Sequence, residues 1–500
     1  MNTTAVPLSE NEKLSEKKFF IYFLLSMLFF SLLLFRNIAE QNLPEDDALR
    51  HAAHSLHERS DSEILLMRSE YTFDHNFGWH CFLRGIRKLF NFNQRQVLYF
   101  SIIFLYLLFH VAGIISSPHP MAWYFSFTLA SCFFLVYAPN LTIGRPFMVS
   151  TSAIILLLRL WCVDKEKIAF KHLLTASFII LLAVCWLHGS WYLFLLFPLS
   201  FALAGRLKDS VSLLLLLLAA AIAAGVFSGD AAGYFNFHFN VTKKIFAERA
   251  LDKQLVTEFQ PLQSFWRHIF FVVVLFIPML ALKSLDWRKL YKDPAFIMWF
   301  ISYLGAYKVS RFWRDWAVPA LLFWLAWQFY ALYPKFTVLK NKKLMAFLIA
   351  FLGLFTWVVN SPEKSLSLKP LPAKEVGCDF SSPENISWKP GTDGIVYALE
   401  MGVYYSNYFR YPFGDWKYYL GFEQEVMPEE NLKLMREISG NFTADNLKKW
   451  INIMKPADRL IFSKEYFDNY FVTSSEQKNP LEIDTLAWKK IGEYYVGKLK

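Results

Sequence analysis

Three consecutive acids, Glu45, Asp46 and Asp47, follow closely on the first long apolar run of the chain, FFIYFLLSMLFFSLLLF, and lie in the stretch NLPEDDALRHAAHS. Adjacent carboxylates of this kind can take the proton from an attacking hydroxyl, with Arg50, His51 and His54 close behind them. Cations and polar residues recur at the ends of later apolar runs. They are Arg145 in APNLTIGRPF, His188 in LHGSWY, His238, Lys243 and Lys244 in the segment 228–264, and Arg311, Arg314 and Asp315 in YKVSRFWRDW. Arginine presents a planar fork of donors suited to a phosphate or carboxylate. Acids near one apolar run with arginines at the ends of others suggest a site at the outer membrane surface that holds something anionic.

Each of these residues also has a purely structural reading, and the sequence leaves both open. PEDDALR starts a helix, with Pro44 in its first turn, acids at the positive end of the dipole, and Ala48, Leu49, Ala52, Ala53 and Leu56 on one face. Arg145 is an interfacial anchor before Pro146. His188 is a turn histidine. Arg314 pairs with Asp315, while Trp313 and Trp316 form an aromatic belt at the membrane surface.

The elements that position these residues are membrane spans. The 500 residues are 55% hydrophobic and include 51 Phe, 24 Tyr and 17 Trp. About eleven runs approach the length that crosses a bilayer, centred near residues 28, 106, 129, 153, 178, 197, 218, 274, 301, 324 and 352. The first run has no small-residue cleavage site after it and is read as a retained helix. Counted from an inside N-terminus, the basic clusters KLSEKK, DKEKIAFKH, GRLKD, DWRKLYKD and KFTVLKNKK all fall on one face, as the positive-inside rule requires. The net charge of +10 is thereby explained without nucleic acid, which is excluded as a partner. Every residue singled out above falls on the opposite, outer face.

The expected architecture is an α-helical polytopic membrane domain over residues 1–360, whose first outer loop, 37–95, carries the acids. A soluble extracytoplasmic α/β domain follows over 361–500. In the outer loop, EDDALRHAAHSLHE and WHCFLRGIRKLF read as helices, the second amphipathic enough to lie along the interface. In the tail, DGIVYALEMGVYYS, ADRLIFS and WKKIGEYYVGKL read as strands, and PEENLKLMREIS and TADNLKKWINIM as capped helices. Cys81 and Cys378 both fall outside in this topology, and whether they pair is left open.

This pattern resembles the GT-C superfamily of integral-membrane glycosyltransferases. EDDALRHA is similar to the DE-x-R-x-A type segment of protein O-mannosyltransferases and of the aminoarabinose transferases of lipid A, with Asp46-Asp47 where many have Asp-Glu. The tail segment VYYSNYFRYPFGDWKYYLGFEQEVMPEENLKLMREISG, followed by ADRLIF, resembles the outer domain of bacterial members, with GFE where they carry a GLD-like segment. The resemblance implies transfer of a sugar from a polyprenyl-phosphate donor to a lipid, glycan or protein acceptor, on the periplasmic face of a bacterial inner membrane. Asp46 or Asp47 is then the base, and the other orients it. Arg311, Arg314 and Arg145 hold the lipid phosphate with His188, while Glu45, Arg50 and His238 bind substrate. No metal or other cofactor is required, since arginine can neutralise a single phosphate; a divalent ion on the acidic cluster stays open as an alternative. So does a different class of function, a flippase or polymerase-like protein that moves lipid-linked glycans, although mid-span charges and related halves are missing from the sequence.

Overall fold

The computed structural model describes residues 16–40, 42–44, 46–134, 137–189, 191–247, 287–332, 342–359, 368–370, 376–440, 442–468 and 483–500. Glu45, the apolar run near 274 and residues 248–264 of the fourth outer loop lie outside them. Contacts divide the chain into two units.

The described residues of 1–39, 102–229 and 257–366 form a helical unit. Every apolar run other than that near 274 falls on a helix. Five helices are long and apolar enough to cross a membrane: Lys17–Ala39, Gln94–Ser116, Phe147–Asp164, Phe170–Leu187 and Leu207–Phe227. Trp191–Leu203, Pro294–Ala306 and Lys343–Val358 are shorter apolar helices. The first span exposes Phe20, Leu24, Leu25, Leu28, Leu32 and Phe35, and the fifth exposes Leu207, Val211, Leu215, Ile222 and Val226. An apolar surface of that extent is at home in lipid and not in water. The chain is therefore a mostly helical, multi-pass membrane protein.

Polar side chains inside this unit are satisfied across helices. Asn37 donates to Thr142 Oγ1 at 3.0 Å, and Arg36 donates to the Trp357 carbonyl at 2.6 Å while its guanidinium lies over the Trp357 ring. His110 stacks on Phe30 with ring centroids 3.7 Å apart, and Gly113 lets the Trp123 indole close against the neighbouring backbone. Two of the basic connections assigned to one face meet. Lys165 donates to Asp209 at 2.6 Å, and Arg206 binds both Asp209 and the Trp161 carbonyl.

The second unit comprises the described residues of 40–101, 230–256 and 367–500. The first outer loop thus groups with the C-terminal region, whereas a division at 360 assigns it to the membrane domain. The pairing is explicit. Strand β1 (Asn42–Pro44) runs antiparallel to β2 (Leu368–Pro370), Leu66 N donates to the Tyr418 carbonyl, and Arg59 reaches the Gly414 carbonyl. Pro44 therefore ends a strand and does not enter the first turn of the following helix, which begins at Asp47.

The main sheet comprises β3 (Ile395–Tyr397), β4 (Lys417–Tyr418), β5 (Arg459–Ser463), β6 (Leu486–Ile491) and β7 (Tyr494–Leu499) in the order β4-β3-β5-β7-β6. β3 is parallel to β4 and β5, and the other pairs are antiparallel. WKKIGEYYVGKL is thus two strands turning at Gly492, whose φ of 60° suits glycine. The strand expected through VYYS is confined to β3, because Met401–Arg410 is helical and stacks Tyr404 on Tyr408 one turn apart. Helices Glu429–Gly440 and Ala444–Ile451 match the sequence reading, the latter capped by Thr443. Their apolar faces join Tyr397, Tyr419, Leu460 and Phe462 in one core with Trp450. Cys81 and Cys378 are not joined.

A Cβ at Gly113 would collide with the Trp123 ring. Gly113→Ala is therefore expected to cost roughly 1–3 kcal/mol of stability, visible as a lowered unfolding midpoint of the detergent-solubilised protein. An unchanged midpoint would show that the two helices can separate there at no cost.

Candidate functional site

Two clusters of ionisable residues stand out, one in each unit. In the second unit, Asp46 adopts an extended backbone and caps the Asp47–His54 helix, its Oδ1 accepting the Asp47 N–H at 2.6 Å. Ala48, Leu49, Ala52 and Ala53 are fully buried, which fixes how the helix start is presented. Asp47 remains partly exposed, and its Oδ1 accepts from Arg50 Nε at 3.2 Å. The Arg50 guanidinium is buried and lies 4.1 Å from the centroid of the Phe422 ring, in the GFE segment.

Behind these residues lies a buried histidine–carboxylate cluster that sequence reasoning did not assemble. His80 Nδ1 donates to Asp74 Oδ2 at 2.6 Å, and His80 Nε2 lies 2.8 Å from His51 Nδ1. The ring of His54 stacks on His80 at 4.0 Å, and its Nε2 is 3.8 Å from Asp61 Oδ1. Burial pushes the Asp61 carboxyl up to about 6, with Asp74 adding to the effect. Burial would raise Asp74 too, but the charge and hydrogen bond of His80 outweigh it and hold Asp74 well below the usual carboxylate range. Burial, aided by Arg50, keeps His51, His54 and His75 neutral. The one sequence signal for this cluster was compositional. His51, His54, His57, His75 and His80, five of the chain's 11 histidines, fall within the first outer loop, 37–95.

His238 also belongs to this unit. It is buried in the Ala231–Ala247 helix, donates Nδ1–H to the Tyr234 carbonyl at 2.6 Å, and adjoins Phe237, which stacks flat on His75.

In the first unit the structure joins three connections distant in sequence. His188 caps the C-terminus of Phe170–Leu187, and its Nδ1 is 2.7 Å from Ser150 Oγ. Arg311 Nη2 donates to His188 Nε2 at 3.2 Å. Arginine has only donors, so Nε2 accepts and the neutral imidazole carries its proton on Nδ1, donated to Ser150. Residues Phe312–Ala317 form a π-helical turn, a widened geometry that often marks functional positions. That turn lets Asp315 bridge two arginines. Its Oδ2 accepts from Arg311 Nε at 2.8 Å and its Oδ1 from Arg314 Nε at 2.9 Å. The Arg314 guanidinium lies over Phe147, two residues beyond the half-buried Arg145. Trp313 and Trp316 are not a surface belt. They are buried, edge-on to Phe134 and Phe194.

The 18 residues Phe147–Asp164 separate this cluster from the Lys165–Asp209–Arg206 network. At 1.5 Å per residue that is about 27 Å, close to the thickness of a hydrocarbon core. The partition of charged connections between two faces is thus realised within the unit.

No family model matches the chain, and no curated protein matches its sequence. Its fold, however, is shared with solved membrane proteins. The oligosaccharyltransferase of Archaeoglobus fulgidus in the apo form superposes with a TM-score of 0.53 at 11% identity, covering 93% of this chain and 73% of the other. The archaeal oligosaccharyltransferase AglB from A. fulgidus, in complex with an inhibitory peptide and a dolichol-phosphate, gives 0.53 at 11%, covering 94% and 74%. ArnT from Cupriavidus metallidurans in the apo state gives 0.51 at 11%, covering 94% and 97%. AglB and ArnT are GT-C superfamily membrane glycosyltransferases, and the chain has the GT-C fold.

Asp315 is buried and holds two guanidinium groups. Replacing it by Asn leaves two cations short of a counter-charge, so Asp315→Asn is expected to cost about 3 kcal/mol. Thermal unfolding in detergent tests this, and a variant as stable as the parent would mean that the arginines are not held by the carboxylate.

Proposed function

We propose that this GT-C-fold chain is a glycosyltransferase. It moves a sugar from a polyprenyl-phosphate-linked donor to a hydroxyl of a lipid, glycan or protein acceptor, on the outer, periplasmic face of a bacterial inner membrane. The observation that carries the proposal is the Asp315-bridged pair of arginines. Two guanidinium groups converge on one carboxylate, and one of them also donates to a histidine. Such a cluster suits an anion, and the neighbour AglB was solved with a dolichol-phosphate.

In the reaction so assigned, the acceptor oxygen forms a bond to the anomeric carbon as the bond from that carbon to the phosphate oxygen breaks. The electron pair leaves with the lipid phosphate, whose charge Arg311 and Arg314 neutralise, with Arg145 as a further cation and His188 as a hydrogen-bonding partner. The acceptor proton passes to a carboxylate of the first loop. Asp47 is the better placed of the two, since its side chain is partly exposed while Asp46 is buried and serves as helix cap. Arg50 orients Asp47, and His238 and Glu45 are assigned to substrate binding. The step uses no metal, because the leaving group is a single phosphate within the reach of arginine.

Asp47→Asn is expected to lower turnover by roughly 100-fold or more, read as release of polyprenyl phosphate from a panel of polyprenyl-phosphate hexoses and pentoses. Near-parental turnover of both Asp46→Asn and Asp47→Asn would remove the base assignment. Arg314→Ala is expected to raise the donor KM by roughly tenfold or more while leaving the acceptor KM in place. Equal changes in both would take Arg314 out of the phosphate site.

A further inference from the structure

The buried cluster behind the Asp47–His54 helix has polar atoms that the protein itself does not satisfy. Both ring nitrogens of His54 and both carboxylate oxygens of Asp61 lack a hydrogen-bond partner, although the two residues are only 4% and 1% exposed. Unpaired polar atoms at that depth carry a substantial penalty, so their convergence calls for an explanation. His54 Nε2 and Asp61 Oδ1 stand 3.8 Å apart, too far for a hydrogen bond. Two ligand atoms each about 2.1 Å from one ion are separated by roughly 3.0–4.2 Å, depending on the angle at the metal. His54, Asp74 and His80 each offer a ligand atom, and these atoms all lie within 4.8 Å of one another.

We propose that His54, Asp61, Asp74 and His80 bind one divalent transition-metal ion, a closed and buried site that fixes the fold of the first loop. Two imidazoles and two carboxylates are the donor set of zinc and its neighbours in the first transition row. Charge supports the same reading. Asp61 is a buried carboxylate and Asp74 a half-buried one, and Arg50, whose charge reaches Asp61, is already bonded to Asp47. One divalent cation neutralises both. The outer shell is also in place, since His80 can ligate through Nδ1 while its Nε2 keeps its hydrogen bond to His51, the second contact that orients most ligating histidines. Loading involves two local changes. The hydrogen bond from His80 Nδ1 to Asp74 opens with release of its proton, and the stacked rings of His54 and His80 fan apart to face one ion.

This site is separate from the Asp47 carboxylate, with four protein ligands and none left for substrate, and the inference does not depend on the transferase reading. It is tested on the full chain, purified in detergent without a histidine tag, stripped with chelator and titrated with Zn²⁺ or Co²⁺ alone. The expected result is about one equivalent of zinc per chain, a raised unfolding midpoint, and visible d–d absorption with paramagnetically shifted imidazole N–H signals in the cobalt form. His54→Gln, Asp61→Asn and Asp74→Asn should each weaken binding at least about tenfold, and His238→Gln should bind as the parent does. The cobalt signals of the parent decide the matter even if a variant fails to fold. A stripped chain that takes up no metal overturns the proposal, in favour of a hydrogen-bonded Asp–His–His relay. Metal that binds without imidazole signals, or equally well to the three variants, overturns it as well.

Discussion

A guanidinium buried in protein must be paired, and Arg50 is the buried cation around which the second unit is organised. It reaches Asp47 at the start of its own helix and lies on Phe422 of the C-terminal region, so one side chain ties the acidic loop to a segment more than three hundred residues on. The contacts around it run the same way. Tyr408 lies 2.7 Å from His57 Nε2, and Arg59 and Arg68 donate to carbonyls of residues 414 and 427. The loop has too little apolar surface to fold alone, and it becomes ordered by borrowing the C-terminal region as its core. Asp46 and Asp47 are consequently presented by a helix buried along one side, not by a mobile tip, which is the rigid support that their proposed role needs.

The first unit solves the opposite electrostatic problem. There the pairing carboxylate, Asp315, is the more deeply buried partner and the arginines reach outward from it. Within the π-helical turn one carboxylate serves both Arg311, four residues before it, and Arg314, its immediate neighbour. His188 completes the arrangement as a neutral acceptor that adds no charge of its own. Rigid donors aimed at one place, with their reorganisation already complete, are the condition under which charged groups stabilise a developing anion most strongly.

How much of this was legible in the sequence follows from the range of each interaction. The ends of the spans could be sorted because lysine and arginine counts report topology residue by residue, and the Lys165–Asp209–Arg206 network and the Ser150–His188–Arg311–Asp315 network each gather connections assigned to one face. Helices with strong local signals, such as Glu429–Gly440 and the Thr443-capped helix, were equally plain. VYYS misled because valine and tyrosine favour strands, yet here burial against the neighbouring loop outweighs that preference and the segment is helical. The histidine–carboxylate cluster was illegible for a different reason. Its members come from a helix, a single turn at Asp61 and the 74–80 segment, with no shared period, and only the folded loop brings them together. Nor does any local pattern announce that β1 will pair with β2 across the length of the chain.

The two clusters differ in what surrounds their carboxylates. In the first, one carboxylate, Asp315, holds two guanidinium groups, whereas in the second Asp61 and Asp74 stand among histidines, of which His51, His54 and His75 are kept neutral by burial. Buried charge of either sign is costly until it is met, and on the proposed transferase reading the first cluster meets an anion and the second protons or a cation. A reaction that expels a phosphate while a hydroxyl gives up its proton generates one species of each kind. Transfer of a sugar from a lipid phosphate is such a reaction. Hydrolysis of the same donor differs from it only in the nucleophile, so on that reading the choice between them rests with whatever brings an acceptor hydroxyl, in place of water, to the proposed base Asp47.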